Sequence, residues 1–173
     1  TIASGALSGR MKFSSYCIYS VVMSGLIYPI SGHWAWGGGF LQQLGFHDFA
    51  GGGVVHMAGG TAALAGAMIL GPRLGKYNEN RTSNAIHSMA LSALGVFILW
   101  IGWFGFNGSS TMGISQSGDL EKVANIFMNT ALAGAASGTI TLLISWFRYH
   151  KADISMTLNG ILAGLVAITA GCD

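Results

Sequence analysis

The stretch DFAGGGVVHMAGGTAALAGA, Asp48 to Ala67, decides the fold. From Phe49 to Leu70 the chain carries no Lys, Arg, Asp or Glu, and a membrane-crossing helix needs about 20 largely apolar residues. Gly and Ala dominate the run. On an α-helix the face around His56 holds Gly52, Gly53, Gly59, Gly60 and Ala63, which is nearly bare backbone. Helices in lipid associate by close backbone approach, because lipid tails solvate apolar side chains as well as a protein interior does. The stretch therefore reads as a transmembrane helix buried in a bundle.

Four more runs extend the pattern on either side: Phe13–Ile30, Met89–Phe106, Val123–Phe147 and the shorter Ile154–Gly171, all without interior charge. Asn159, Gly160 and Gly164 begin a second small-residue face, so the last run is also expected to be buried. Residues 1–7 read as the tail of an earlier helix. The runs are too long for barrel strands and do not alternate. Composition agrees. Of 173 residues 51% are hydrophobic and 8% charged, with 27 glycines, against about 25% charged in ordinary domains. The expected class is an all-α polytopic membrane bundle in one domain, 1–173. Eight basic against six acidic residues leave no footprint for nucleic acid. Cys17 and Cys172 have no C-x-x-C spacing, so no metal or redox centre is expected. No signal peptide precedes the first run, and both ends abut apolar sequence, as in part of a larger protein.

Basic residues set the orientation. Arg10, Lys12, Arg73, Lys76, Arg81, Arg148 and Lys151 fall on one side, which is then cytoplasmic. The opposite loops, 31–48 and 107–122, hold only Lys122 among basic residues, together with His33, Trp34, Trp36, His47, Asp48, Asp119 and Glu121.

Few side chains can carry chemistry in such a chain. His56 lies roughly 11 Å into its span at 1.5 Å per residue. An ionisable group at that depth borders a cavity or pathway, or else bonds a neighbouring helix. Asp48, just before its span, suits an N-cap for the amides of Ala50 or Gly51, and its charge would also steady a cation. Trp103 and Phe106 are three apart and share a helix face; Trp36 sits in a loop, in WGGG. Aromatic faces attract a small cation, and a hydroxyl such as Ser110 accepts an N–H bond. The alternative for these rings is the ordinary interfacial belt, which suffices for Trp34. His33, His47, His87 and His150 lie in or near loops. No phosphate loop, nucleophile elbow or paired His/Glu metal spacing is present, so no enzyme and no cofactor are expected.

The motifs together resemble the ammonium transporter family (Amt/Mep/Rh), Amt branch. The resemblance rests on DFAGGGVVHMAGGTAALAGA (48–67), HWAWGGG (33–39) and IGWFGFNGSS (101–110), with GALSGRMKF (5–13), GPRLG (71–75) and LNGILAGLVAITAGC (158–172) in the same order. It implies a trimer of eleven-helix subunits, each an inverted repeat with one pore, in the plasma membrane. This chain would run from the end of helix three through helix eight. Carried over by motif, Trp36, Phe106 and Ser110 would bind ammonium in a vestibule. His56 would be the first of two pore histidines, Trp103 a pore-wall aromatic and Asp48 the buried acid nearby. Ammonium and ammonia, the bilayer, a second and third copy of the chain, and a cytoplasmic regulatory protein are the implied partners.

The departures are specific. The resemblance makes Phe106 one of two gate phenylalanines, and the other, like the second pore histidine, matches nothing in these residues. AIHSMAL (85–91) lacks the Pro-Gly usual before its histidine, and LSGR (7–10) has Gly9 where the family has Glu, which puts the end of helix three in doubt. Two other functions fit the same motifs: an Amt-like ammonium sensor in a signalling protein, and an Rh-like channel for neutral gas, the latter disfavoured by WGGG with Ser110.

Overall fold

A computed structural model describes residues 1–74, 76, 77 and 87–173. Arg81, Gly75, Ala85 and Ile86, which figure in the sequence reading, lie outside the described residues. Among the described residues everything regular is helical: α1 Ser4–Leu7, α2 Phe13–Val22, α3 Tyr28–Trp36, α4 Phe40–Gln43, α5 Ala58–Leu70, α6 Met89–Gly108, α7 Asp119–Tyr149 and α8 Ile154–Ile168. Two wider π-helical turns, Met23–Ile27 and Gly52–Met57, join α2 to α3 and lead into α5. Among the described residues five helical stretches are long and apolar enough to cross a membrane: Phe13–Gln43, which includes the turn at 37–39, Gly52–Leu70, Met89–Thr111, Asp119–Tyr149 and Ile154–Gly171.

Each expected span is there, and its ends are corrected. The first runs on to Trp36 through α3, so His33, Trp34 and Trp36 stand on a helix rather than in a loop. The fourth starts at Asp119, so Asp119, Glu121 and Lys122 form its first turn; acids are favoured there by the helix dipole. The second begins as a π turn at Gly52, with no helix at 49–51, so the α-helical face drawn around His56 does not hold over its first turn. Among the described residues only Gly59 of α5 is buried, while Leu64, Met68 and Ile69 are exposed. Water would force such surface inward, but lipid exerts no such pressure.

The described residues form two compact units. In the first, residues 1–47 with the described part of 53–85, α1 packs on α5: Leu7 is buried against Gly66 and Ile2 lies against Gly59. Arg10 donates to the carbonyls of Ala6 and Gly71, a cation placed at two helix C-termini where the dipole is negative. Gly9 has φ +73°, a conformation that Glu would adopt only with strain. The departure from the family pattern thus coincides with a turn that glycine suits.

The second unit comprises residues 48–52 and the described part of 86–173. Its α7–α8 hairpin closes through small residues: Gly134 and Gly138 on α7, Gly160 and Gly164 on α8, all buried. A Cβ on Gly138 would stand 2.6 Å from Ile161 Cγ1, and one on Gly164 2.6 Å from Ser137 Cβ. The small-residue face expected on the last span is therefore real at Gly160 and Gly164. Asn159 is not part of it; it is exposed and donates to Ser155 O at 3.0 Å. The α6 helix docks on α7 through Phe104 and Phe127, edge to face at 5.3 Å between centroids. Caps mark the helix starts: Ser88 Oγ accepts from Leu91 N and Asp153 Oδ1 from Met156 N.

Candidate functional site

Three glycines place Trp36 in the first unit. The chain turns back at the end of α3, and the amides of Gly37 and Gly39 both donate to His33 O at 3.0 Å. Gly39 then passes so close to α3 that a Cβ would lie 2.6 Å from Trp34 Cα and 2.7 Å from His33 O, and no other residue fits. Side chains of α4 fix the turn, Gln42 accepting from Gly38 N at 2.7 Å and Gln43 donating to Gly38 O at 2.9 Å. Trp36 is left as the last helical residue, 43% exposed. His56 also belongs to this unit. It is half-buried near the end of the π turn Gly52–Met57. A π turn is uncommon, and single ones inside α-helices recur at functional sites.

The second unit holds Asp48, Trp103, Phe106 and Ser110. Asp48 is 5% exposed, and its Oδ1 accepts from Gly51 N and Gly52 N, both at 2.8 Å. The expected cap is present, but at Gly51 and Gly52; the Ala50 amide goes instead to Thr169 O at 3.0 Å, and Phe49 N to Ala170 O at 2.8 Å. A turn of 3₁₀ helix at Thr169–Gly171 supplies those carbonyls. It lies so close that a Cβ on Gly52 would be 2.7 Å from Ala170 Cβ. Hydrogen bonds to a charged group contribute about 1.5–3 kcal/mol each. Asp48→Ala should therefore lower thermal stability and membrane abundance markedly, and Asp48→Asn, which keeps a carbonyl acceptor, should recover most of the loss. An Asp48→Ala protein melting at the wild-type temperature would refute this account of the cap.

Trp103 and Phe106 come together as their spacing predicts, ring centroids 6.0 Å apart and tilted by 45°. Phe106 is 40% exposed. Ser110 Oγ donates its proton to Phe106 O at 3.1 Å, so its lone pairs remain to accept from an N–H group. The arrangement offers an aromatic pair and an acceptor on one helix end, which suits a small cation with N–H donors. No group of three or more metal-ligating side chains occurs among the described residues.

Sequence reasoning missed the groups that hold this helix end. Trp103 Nε1 donates to Thr169 Oγ1 at 2.9 Å, and Asn107 Nδ2 to Thr130 Oγ1 at 3.0 Å. The signal was available: an Asn inside an apolar span must find a partner on another helix.

Comparison with known proteins bears on all of this. The family model described as the Ammonium Transporter Family matches residues 1–173. The chain is 50% identical over 184 residues to the ammonium transporter Amt2 of Archaeoglobus fulgidus, covering 99% of this chain and 38% of that protein. It is 40% identical over 182 residues to Amt2 of Haloferax mediterranei, covering 100% and 40%. Among solved structures, Mep2 of Candida albicans superposes with a TM-score of 0.86 at 34% identity, covering 99% of this chain and 37% of that one. Mep2 of Saccharomyces cerevisiae gives 0.84 at 30% identity, covering 99% and 38%. The chain spans about two fifths of the length of the curated relatives it matches.

Proposed function

Because this chain belongs to the ammonium transporter family and is a multi-pass membrane protein of that helical fold, we propose that it serves ammonium transport across the plasma membrane. Trp36, Phe106 and Ser110 recruit ammonium, and ammonia passes His56 and Trp103. Residues 1–173 are one continuous stretch of the transporter domain, from the end of helix three through helix eight, and the assembly is a homotrimer. The observation that carries this reading is the α6 end: the Trp103–Phe106 pair at 6.0 Å beside a Ser110 hydroxyl whose proton is already committed. Such a hydroxyl can only accept, and ammonium can only donate.

Conduction follows from solvation. A bare cation in an apolar lumen is costly, and a neutral amine far less so. Ammonium gives up its proton before the apolar stretch, ammonia continues, and the proton is carried separately or relayed.

The test is methylammonium uptake by the intact protein. Trp36→Leu removes a cation–π partner worth about 0.5–2 kcal/mol, so half-saturation should rise roughly two- to thirtyfold. Ser110→Ala should raise it as well. Unchanged half-saturation in both variants would remove the recruitment site.

A further inference from the structure

Two polar side chains on α6, the Trp103 indole and the Asn107 amide, point into neighbouring helices, and both meet the same device. Thr169 and Thr130 are fully buried. Each passes its own hydroxyl proton to the carbonyl four residues earlier, Thr169 to Leu165 O and Thr130 to Ile126 O, both at 2.7 Å. A hydroxyl has one proton. With that proton committed along its own helix, each oxygen can only accept, and the restricted χ1 of a β-branched side chain fixes the direction. Trp103 Nε1 and Asn107 Nδ2 fill the two positions. The arrangement also fixes the amide of Asn107, whose NH₂ must face Thr130.

Trp103 and Asn107 are one turn apart on α6. Between them lies Phe106, and Ser110 follows within the next turn. One tie goes to the end of α8 and the other to α7, so together they set the rotation and the height of the α6 end. The same Thr169 also receives the Ala50 amide on its carbonyl, which seats it firmly. We infer that Thr130 and Thr169 are positioning residues for ammonium recognition, acting through α6 on the Trp103–Phe106 rings and the Ser110 hydroxyl. The inference rests on the reading of that helix end as a recruitment site.

Thr→Val at either position keeps the branched shape and removes the acceptor; Thr→Ser keeps the acceptor and removes a methyl group. In the intact protein, half-saturation for methylammonium should rise about three- to fifteenfold in each Val variant, the range of an interhelical hydrogen bond in lipid, and stay near wild type in each Ser variant. Half-saturation does not depend on the amount of protein, so it is readable even where a Val variant accumulates poorly. Val variants that lose only maximal rate and abundance, or Ser variants shifted as far as Val, would overturn the assignment. Hydrogen exchange at residues 103–111 gives a readout independent of transport. Faster exchange in the Val variants alone is expected, and equal protection in all would overturn the register argument. A wild-type protein that carries no methylammonium would instead overturn the proposed function, and exchange alone would then judge the threonines.

Discussion

Replacing Gly164 with leucine should leave almost no folded protein in the membrane. A Cβ at this position meets the carbonyl oxygen of Ala133, and it lies 3.0 Å from Ala133 C and 2.6 Å from Ser137 Cβ. The obstacle is largely backbone of α7, which cannot swing away as a side-chain tip could. Overpacking ordinarily costs about 1–3 kcal/mol; here four further carbons would be forced into the main interface of the second unit, and the cost should exceed that range. Gly105 on α6 is the control. Among the described residues nothing stands within 4 Å of its would-be Cβ, so Gly105→Ala should accumulate like wild type and gain slightly from helix propensity. Membrane abundance and size-exclusion profiles of the two variants decide the matter. A Gly164→Leu protein that elutes as a normal peak at normal abundance would mean the α7–α8 contact is not as close as described.

The second large effect is expected at His56. If the ring borders the conduction path, His56→Glu puts a carboxylate where neutral ammonia passed. A charged path tolerates a cation, so potassium currents should appear while abundance stays near normal. If the ring only joins helices, the same change buries an acid in a dry interface at a cost of several kcal/mol, and abundance should collapse. Potassium currents and abundance measured on one preparation separate the two: normal abundance without any potassium current, or lost protein, would each remove His56 from the path.

Much of this architecture was legible in the sequence, because length and hydropathy alone determine where a helix can cross a bilayer. The cap at Asp48, the pairing of Trp103 with Phe106 and the glycines of α8 followed from spacing. What escaped has physical reasons. The first turn of α7 is charged, Asp119–Lys122, so an apolar window begins too late. Trp36 ends a helix because the chain turns only at the glycines that follow it. The π turn at Gly52–Met57 inserts an extra residue per turn without changing composition, and a glycine-rich run gives no side-chain periodicity to reveal it. The threonine acceptors were invisible for another reason. Thr130 and Thr169 are unremarkable by hydropathy, and their role depends on which helix lies across from them.

The bonds from Phe49 and Ala50 to Ala170 and Thr169 also dictate an order of biogenesis. At roughly 5–20 residues per second, the ~120 residues between these partners take about 6 to 24 seconds to leave the ribosome. Throughout that interval the two amides lack their final acceptors, and backbone donors cannot be left bare in hydrocarbon. The α7–α8 hairpin, by contrast, joins neighbours in the sequence and can close as soon as its second arm emerges. Residues 49–52 must therefore wait, kept at a hydrated or translocon-shielded depth, and take their seat only after α8 has been made.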